Sequence, residues 1–193
     1  LRAGIVPDLI LQFAEASWGY RVQGPTGLER DALFTPGDVG ATVEAALPWQ
    51  LGSAAVSVVN GEGLSLREQN SGKNLTAALR ITPLRMRAPD LIVHALFRDG
   101  SVGAGSAADR RVAGGVTYAS PRLGAGAIAT LAMGYRGVGD QWAAHLSTWL
   151  RGNLAAGYGL LGRVPLLWPV ARGEDPAGSM QMRVIGGLSY ALP

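Results

Sequence analysis

Between Asn74 and Asp99 the chain alternates in side-chain character twice in succession. Leu75, Ala77, Leu79 and Ile81 interleave with Asn74, Thr76, Ala78, Arg80 and Thr82. After a break at Arg85–Asp90, Leu91, Val93, Ala95 and Phe97 interleave with Ile92, His94, Leu96 and Arg98. A period of two sends successive residues to opposite faces of a strand, so the stretch predicts a hairpin with one apolar and one mixed face. Each arm has the length a tilted strand needs to cross a bilayer. A soluble sandwich also reads this way, with the apolar rows meeting a second sheet. The choice turns on where the charges fall and on how the rest of the chain repeats the unit.

The unit repeats along most of the sequence. Alternating segments are predicted at Leu1–Val6, from Gly37 through Ala45, and at Ser53–Asn60, Arg111–Ala119, Ala125–Arg136, Gln141–Arg151, Leu154–Val164 and Met180–Leu192. With the hairpin above, this makes roughly ten strands. The connections largely alternate long and short, Gly137–Asp140 being short where a long one is due. Outer-membrane barrels sort their loops in this way, with short periplasmic turns and long outer loops. The longest connection, Pro7–Pro36, contains apolar residues at helical spacing in Asp8–Tyr20 and a charged cluster at Glu29, Arg30 and Asp31. It is expected to be a long extracellular or constriction loop, since an insert of this length in a β protein is usually functional. Residues 1–193 are read as a single domain.

Hydrophobic residues make up 48% of the chain and charged residues 16%, against roughly 25% charged in a soluble domain. Nearly all the strand charges share a face with small or polar residues: Arg80, Arg98, Arg111, Arg136, Arg151, Arg163, Arg183 and Glu44. An arginine facing lipid at mid-bilayer costs about 2–4 kcal/mol, and the pattern avoids that cost. Trp49, Tyr118 and Tyr190 fall toward one rim and Tyr135, Trp142 and Trp168 toward the other, as two aromatic girdles would. No apolar run of about eighteen residues is present, so no transmembrane helix is expected. The chain starts at Leu1 without a leader, which is consistent with a removed signal peptide or with a piece of a longer protein. The absence of cysteine excludes disulfides and thiolate metal sites and fits an oxidising compartment. The expected fold class is therefore all-β, an antiparallel up-and-down transmembrane β-barrel.

Trp18–Gly40 (WGYRVQGPTGLERDALFTPGDVG) and Val58–Gly63 (VVNGEG) carry a family resemblance. The Trp-Gly-Tyr-Arg start, the Glu29-Arg30 pair, Asp38-Val39-Gly40 and the Asn60-Gly61-Glu62-Gly63 loop resemble bacterial outer-membrane porins related to the phosphate-selective porin O and P family. The closing Ile185–Tyr190 run is also similar, though generic for barrel strands. The resemblance implies a barrel of about sixteen strands, often trimeric, that passes small anions. This chain is shorter and ends in Ala191-Leu192-Pro193 rather than a terminal Phe. It is thus either a C-terminal part of such a porin or a shortened barrel.

The function expected is passive diffusion of small hydrophilic solutes, with a phosphate-like anion preference. Arg80, Arg98, Arg111, Arg136, Arg151, Arg163 and Arg183 would line the lumen, with Glu44 as counter-charge. Arg21 and Arg30 would stand near a constriction. Inward guanidinium groups hold a positive potential and concentrate anions. The expected partners are the bilayer and lipopolysaccharide of a bacterial outer membrane, small anionic solutes, and further copies of the chain in a homotrimer. A structural barrel without transport is the alternative. A Ser/His hydrolase is a more distant one, because His145 and Ser147 share a strand face with Asn153 nearby, but that face looks away from lipid. No catalytic residue is assigned. His94 and His145 lack the spacing of a metal site, and no cofactor is expected. The net charge of +3 is spread through apolar strands rather than gathered in a patch, which argues against nucleic acid.

Overall fold

The computed structural model describes residues 1–21, 24–64, 67–69, 71–138, 141–154, 157–170 and 180–190. The alternating segments form one antiparallel sheet of eleven strands. Its strands follow the chain as β1 (Arg2–Pro7), β2 (Gly37–Ala46), β3 (Gly52–Val59), β4 (Asn74–Ile81) and β5 (Leu91–Asp99), then β8 (Arg110–Ala119), β9 (Leu123–Met133), β10 (Trp142–Asn153) and β11 (Tyr158–Val170). Two short strands, β12 (Gln181–Met182) and β13 (Ile185–Tyr190), both pair with β11. A separate two-stranded ribbon, β6 (Ser101–Val102) with β7 (Ala107–Ala108), decorates the β5–β8 connection. Neighbouring strands are consecutive in sequence apart from that ribbon, as local pairing favours. The protein is all-β in class, and the sheet is open at β1 and at β12–β13.

Period-two patterning is carried through in register. Ala55 lies opposite Ala78, Ala78 opposite Leu96, Leu96 opposite Ala113, Ala113 opposite Thr130, Thr130 opposite His145, and His145 opposite Leu167. All of these are buried on one face, the covered face. The residues between them, among them Val43, Val56, Leu75, Phe97, Val112, Leu131 and Leu150, form rows that stay exposed on the outer face although they are large and apolar.

What covers the buried face is the insert between β1 and β2. Helix α1 (Leu9–Trp18) packs on β5, β8, β9 and β10. Asp8 caps its start, its Oδ1 accepting from Ile10 N (3.0 Å) and Leu11 N (3.3 Å). Gly19, at φ 73°, ends it in the left-handed conformation that a non-glycine residue adopts only under strain. A short turn of helix, α2 (Gly27–Arg30), and the return through Leu33 and Phe34 complete the cover. Small residues beneath α1 make the approach possible. A Cβ on Gly126 would come within 2.1 Å of the Trp149 ring, and one on Gly124 within 2.7 Å of the Ser17 carbonyl.

Several expectations are corrected by the chain geometry. Strand β9 stops at Met133, and Tyr135–Gly137 forms a 3-10 turn, so Arg136 does not lie on a strand. The connection after β9 therefore spans 134–141, and the β4–β5 connection spans 82–90, so the expected alternation of long and short connections is not strict. Tyr135 is buried, its hydroxyl donating to the Asp31 carbonyl at 2.8 Å, and does not belong to a rim girdle. Residues 165–170, expected to open a loop, continue β11. Proline is tolerated there because Pro165 O accepts from Arg183 N (3.2 Å) on the sparsely paired β12 side, leaving the β10 pairing intact. The last segment is broken rather than continuous: Arg183 and Val184 lie between β12 and β13. The predicted residue Leu192, the terminal triplet, and the loop beyond 170 as far as 179 lie outside the described residues.

Candidate functional site

The arginines singled out by patterning fall into three environments. Arg98, Arg111 and Arg163 are buried beneath the insert. Arg98 is ion-paired with Asp8, donates through Nε to Thr76 Oγ1 (3.1 Å), and lies 5.1 Å over the Phe34 ring. Arg111 pairs with Asp109 at 2.6 Å and donates to the carbonyls of Leu33 (3.1 Å) and Met133 (2.7 Å). Arg163 donates to the Pro25 carbonyl at 2.6 Å and sits 5.5 Å from the Trp18 ring. These three hold the insert by its start, its return and its middle.

Arg151 and Arg183 are half-buried latches. Arg151 donates to the Ser17 carbonyl (3.1 Å) near the end of α1, and Arg183 is ion-paired with Asp31. Arg80, Arg136 and Glu44 are exposed. Arg80 shares with Arg2, Gln12, Phe13, Glu44 and His94 a cleft of about 410 Å³. Glu44 lies 3.8 Å from Arg2, an exposed pair of little energetic weight. Arg136 stacks on Tyr135 at 5.3 Å and borders a second cleft of about 680 Å³ with Phe34, Arg98, Asp109 and Arg111. In the insert itself, Arg21 is exposed and paired with Glu15 and, at 3.0 Å, with Glu29. Arg30 is exposed and has no carboxylate partner among the described residues.

Reading residues by strand parity passes over the carboxylates and amides that pair with these arginines. Asp38 binds the backbone N–H groups of Gly61 (2.6 Å) and Gly63 (3.2 Å), and Asn74 donates to Asp109 at 2.6 Å. Asp31 accepts from His145 Nε2 (3.1 Å) as well as from Arg183. A signal was present for Asp8, an N-cap type directly before a helical run. Nothing local announces that Asp31 or Asp109 meets a strand far along the chain.

Burial works to raise the Asp31 pKa, but the hydrogen bonds from His145 and Arg183 outweigh it and hold the carboxyl below its ordinary range. A lowered native pKa means that the stabilisation is complete above the unfolded carboxylate value, about 3.9, and is lost as pH falls through the native value. Asp31→Asn is expected to cost about 1–3 kcal/mol at neutral pH. It should also abolish the acid-induced loosening of α2, read as amide exchange at 27–31 against pH. An unchanged acid transition in the variant would assign the effect to another group.

The same geometry bears on hydrolysis. His145 and Ser147 do share the covered face, with Asp31 rather than Asn153 orienting the imidazole. Among the described residues His145 Nδ1 has no hydrogen-bond partner, so the serine–imidazole bond that activates a nucleophile is not made with Ser147. Gly27 lies over both side chains. Among the described residues no group of three or more potential metal ligands occurs, and no helix is long and apolar enough to cross a membrane, which says nothing of a β-barrel. No family model, no curated protein and no solved structure matches the chain.

Proposed function

We propose that this chain forms part of the wall, and the inserted constriction, of an outer-membrane pore through which small anions diffuse. The observation that carries this reading is the outer face. Strand after strand presents exposed Val, Leu, Phe and Ala there, while the guanidinium groups of Arg80, Arg98, Arg111, Arg151 and Arg163 lie on the opposite side. Exposed apolar rows on this scale call for an apolar surrounding, and hydrocarbon supplies it. The connections into β2, β4 and β8 are long and those into β3, β9 and β11 are tight, as in a barrel with a loop side and a turn side, although the β4–β5 connection (82–90) is longer than the β9–β10 connection (134–141). Trp49, Tyr118, Tyr158 and Tyr190 lie at the turn edge, and Trp142 and Trp168 at the loop edge.

On this reading the sheet closes into an up-and-down barrel with further strands. The protein sits in the bilayer and lipopolysaccharide of a bacterial outer membrane, as a homotrimer, and belongs with the phosphate-selective porin O and P group. Arg21, Arg30, Arg80 and Arg136, all exposed, set the field a passing anion meets. The expected result in planar bilayers under a salt gradient is an anion-favouring reversal potential, moved toward zero by Arg30→Ala combined with Arg80→Ala. A cation-favouring or neutral potential in the parent protein would end the anion claim.

One observation favours a second reading, a barrel that supports structure without transport. The insert buries Trp18, Leu28, Leu33 and Phe34 against the sheet, and Arg98 and Arg111 are neutralised by Asp8 and Asp109. Liposomes containing the protein that fail to swell in small sugars would favour it.

A further inference from the structure

Of the seven buried side-chain polar atoms without partners among the described residues, four lie on three side chains that line one cavity, the others being His94 Nδ1, Thr130 Oγ1 and His145 Nδ1. Among the described residues, Trp18 Nε1, Trp149 Nε1, Arg163 Nε and Arg163 Nη2 are buried and accept or donate no hydrogen bond. All three side chains line a single small cavity of about 10 Å³ between the end of α1 and strands β10 and β11, together with Thr26 and Ser147. The residues are 3% (Trp18), 7% (Trp149) and 4% (Arg163) exposed. Every one of these four atoms is a donor, and none can accept. Arg163 has no carboxylate partner among the described residues, and the charged group acting on it is another cation, Arg30.

We propose that this cavity is a binding site for one chloride ion, which pins the insert to the wall. A buried guanidinium whose charge is met by no carboxylate needs a negative neighbour. A monatomic anion accepts from several donors at once, whereas a water molecule offers two lone pairs. The cavity is small, about 10 Å³, which favours a monatomic anion over phosphate, sulfate or a carboxylate. Position decides the role. Trp18 belongs to the insert, while Trp149 and Arg163 belong to the sheet, so an ion held by all three ties one to the other. Trp149 is itself held flat over Gly126, where a Cβ would come within 2.1 Å of its ring. The site shares no lining residue with the two clefts that Arg80 and Arg136 border, and it stands whether the barrel conducts or only supports structure.

Bromide is the probe, since it replaces chloride and is visible by anomalous scattering. Crystals of the full protein soaked in sodium bromide are expected to show an anomalous peak between the Arg163 guanidinium and the two indole nitrogens. In solution, chloride is expected to raise the thermal midpoint over gluconate at equal ionic strength. Trp149→Phe keeps most of the ring volume and removes one donor, and it should weaken that chloride dependence about tenfold or more. Arg163→Met should abolish it. If the methionine variant does not fold, the phenylalanine variant alone decides. Density for water without an anomalous peak, or an equal chloride response in parent and Trp149→Phe, would overturn the proposal.

Discussion

Arg98→Met is expected to release the start of α1 at a cost of about 3–5 kcal/mol, the range for removing one partner of a buried ion pair. The Asp8 and Arg98 side chains are only 3% and 10% exposed, so the methionine leaves a carboxylate in a site from which water is largely excluded. Asp8 also caps the helix, and Arg98 lies over Phe34 at the return of the insert, so one residue of β5 secures both ends of the cover. The measurement is amide hydrogen exchange. Protection in α1 should fall at least about a hundredfold, by the conversion of tenfold per 1.4 kcal/mol, while β9 and β10 keep theirs. Adding Asp8→Asn, which removes the stranded charge and keeps a capping side chain, should restore much of the loss. Unchanged protection in Arg98→Met would show that the insert is held by its apolar contacts alone. On the pore reading the same variant should raise single-channel conductance.

Val56→Arg separates a membrane wall from a soluble sheet. Val56 is 49% exposed in the middle of β3, between Val43 and Ala77 on the outer face. With water on that face the substitution should change stability by no more than about 0.5 kcal/mol, as at other exposed positions. With hydrocarbon there it should cost about 2–4 kcal/mol. Reversible folding into bilayers against urea, with Glu44→Arg on the opposite parity as the control, reads the difference. A loss within the smaller range would remove the lipid-facing surface, and with it the pore.

How much of this was legible in sequence depends on whether the deciding interaction is local. Leu75, Ala77 and Leu79 alternate with Thr76, Ala78 and Arg80 because a strand has a period of two, and the pairing kept those rows together. The helical spacing in Asp8–Tyr20 became α1 for the same kind of reason. Strand ends were less legible. Tyr135 fits the outer row by parity, but a turn sends it inward to Asp31. Pro165 and Pro169 read as loop, yet their place beside a short edge strand lets β11 continue.

What the sequence by itself determined is the two-faced sheet, because alternation is set residue by residue along each strand. Tertiary structure alone decided what the arginines face. Parity places Arg98, Arg111 and Arg163 on one side of the sheet, but a guanidinium there meets either water or protein according to where a distant segment settles. Asp8 and Leu33 stand 90 and 78 residues away from their arginine partners, and no local pattern specifies contacts at that range. The insert turned three of the arginines meant for a lumen into its fastenings, since buried charges and carbonyls gain most by finding one another.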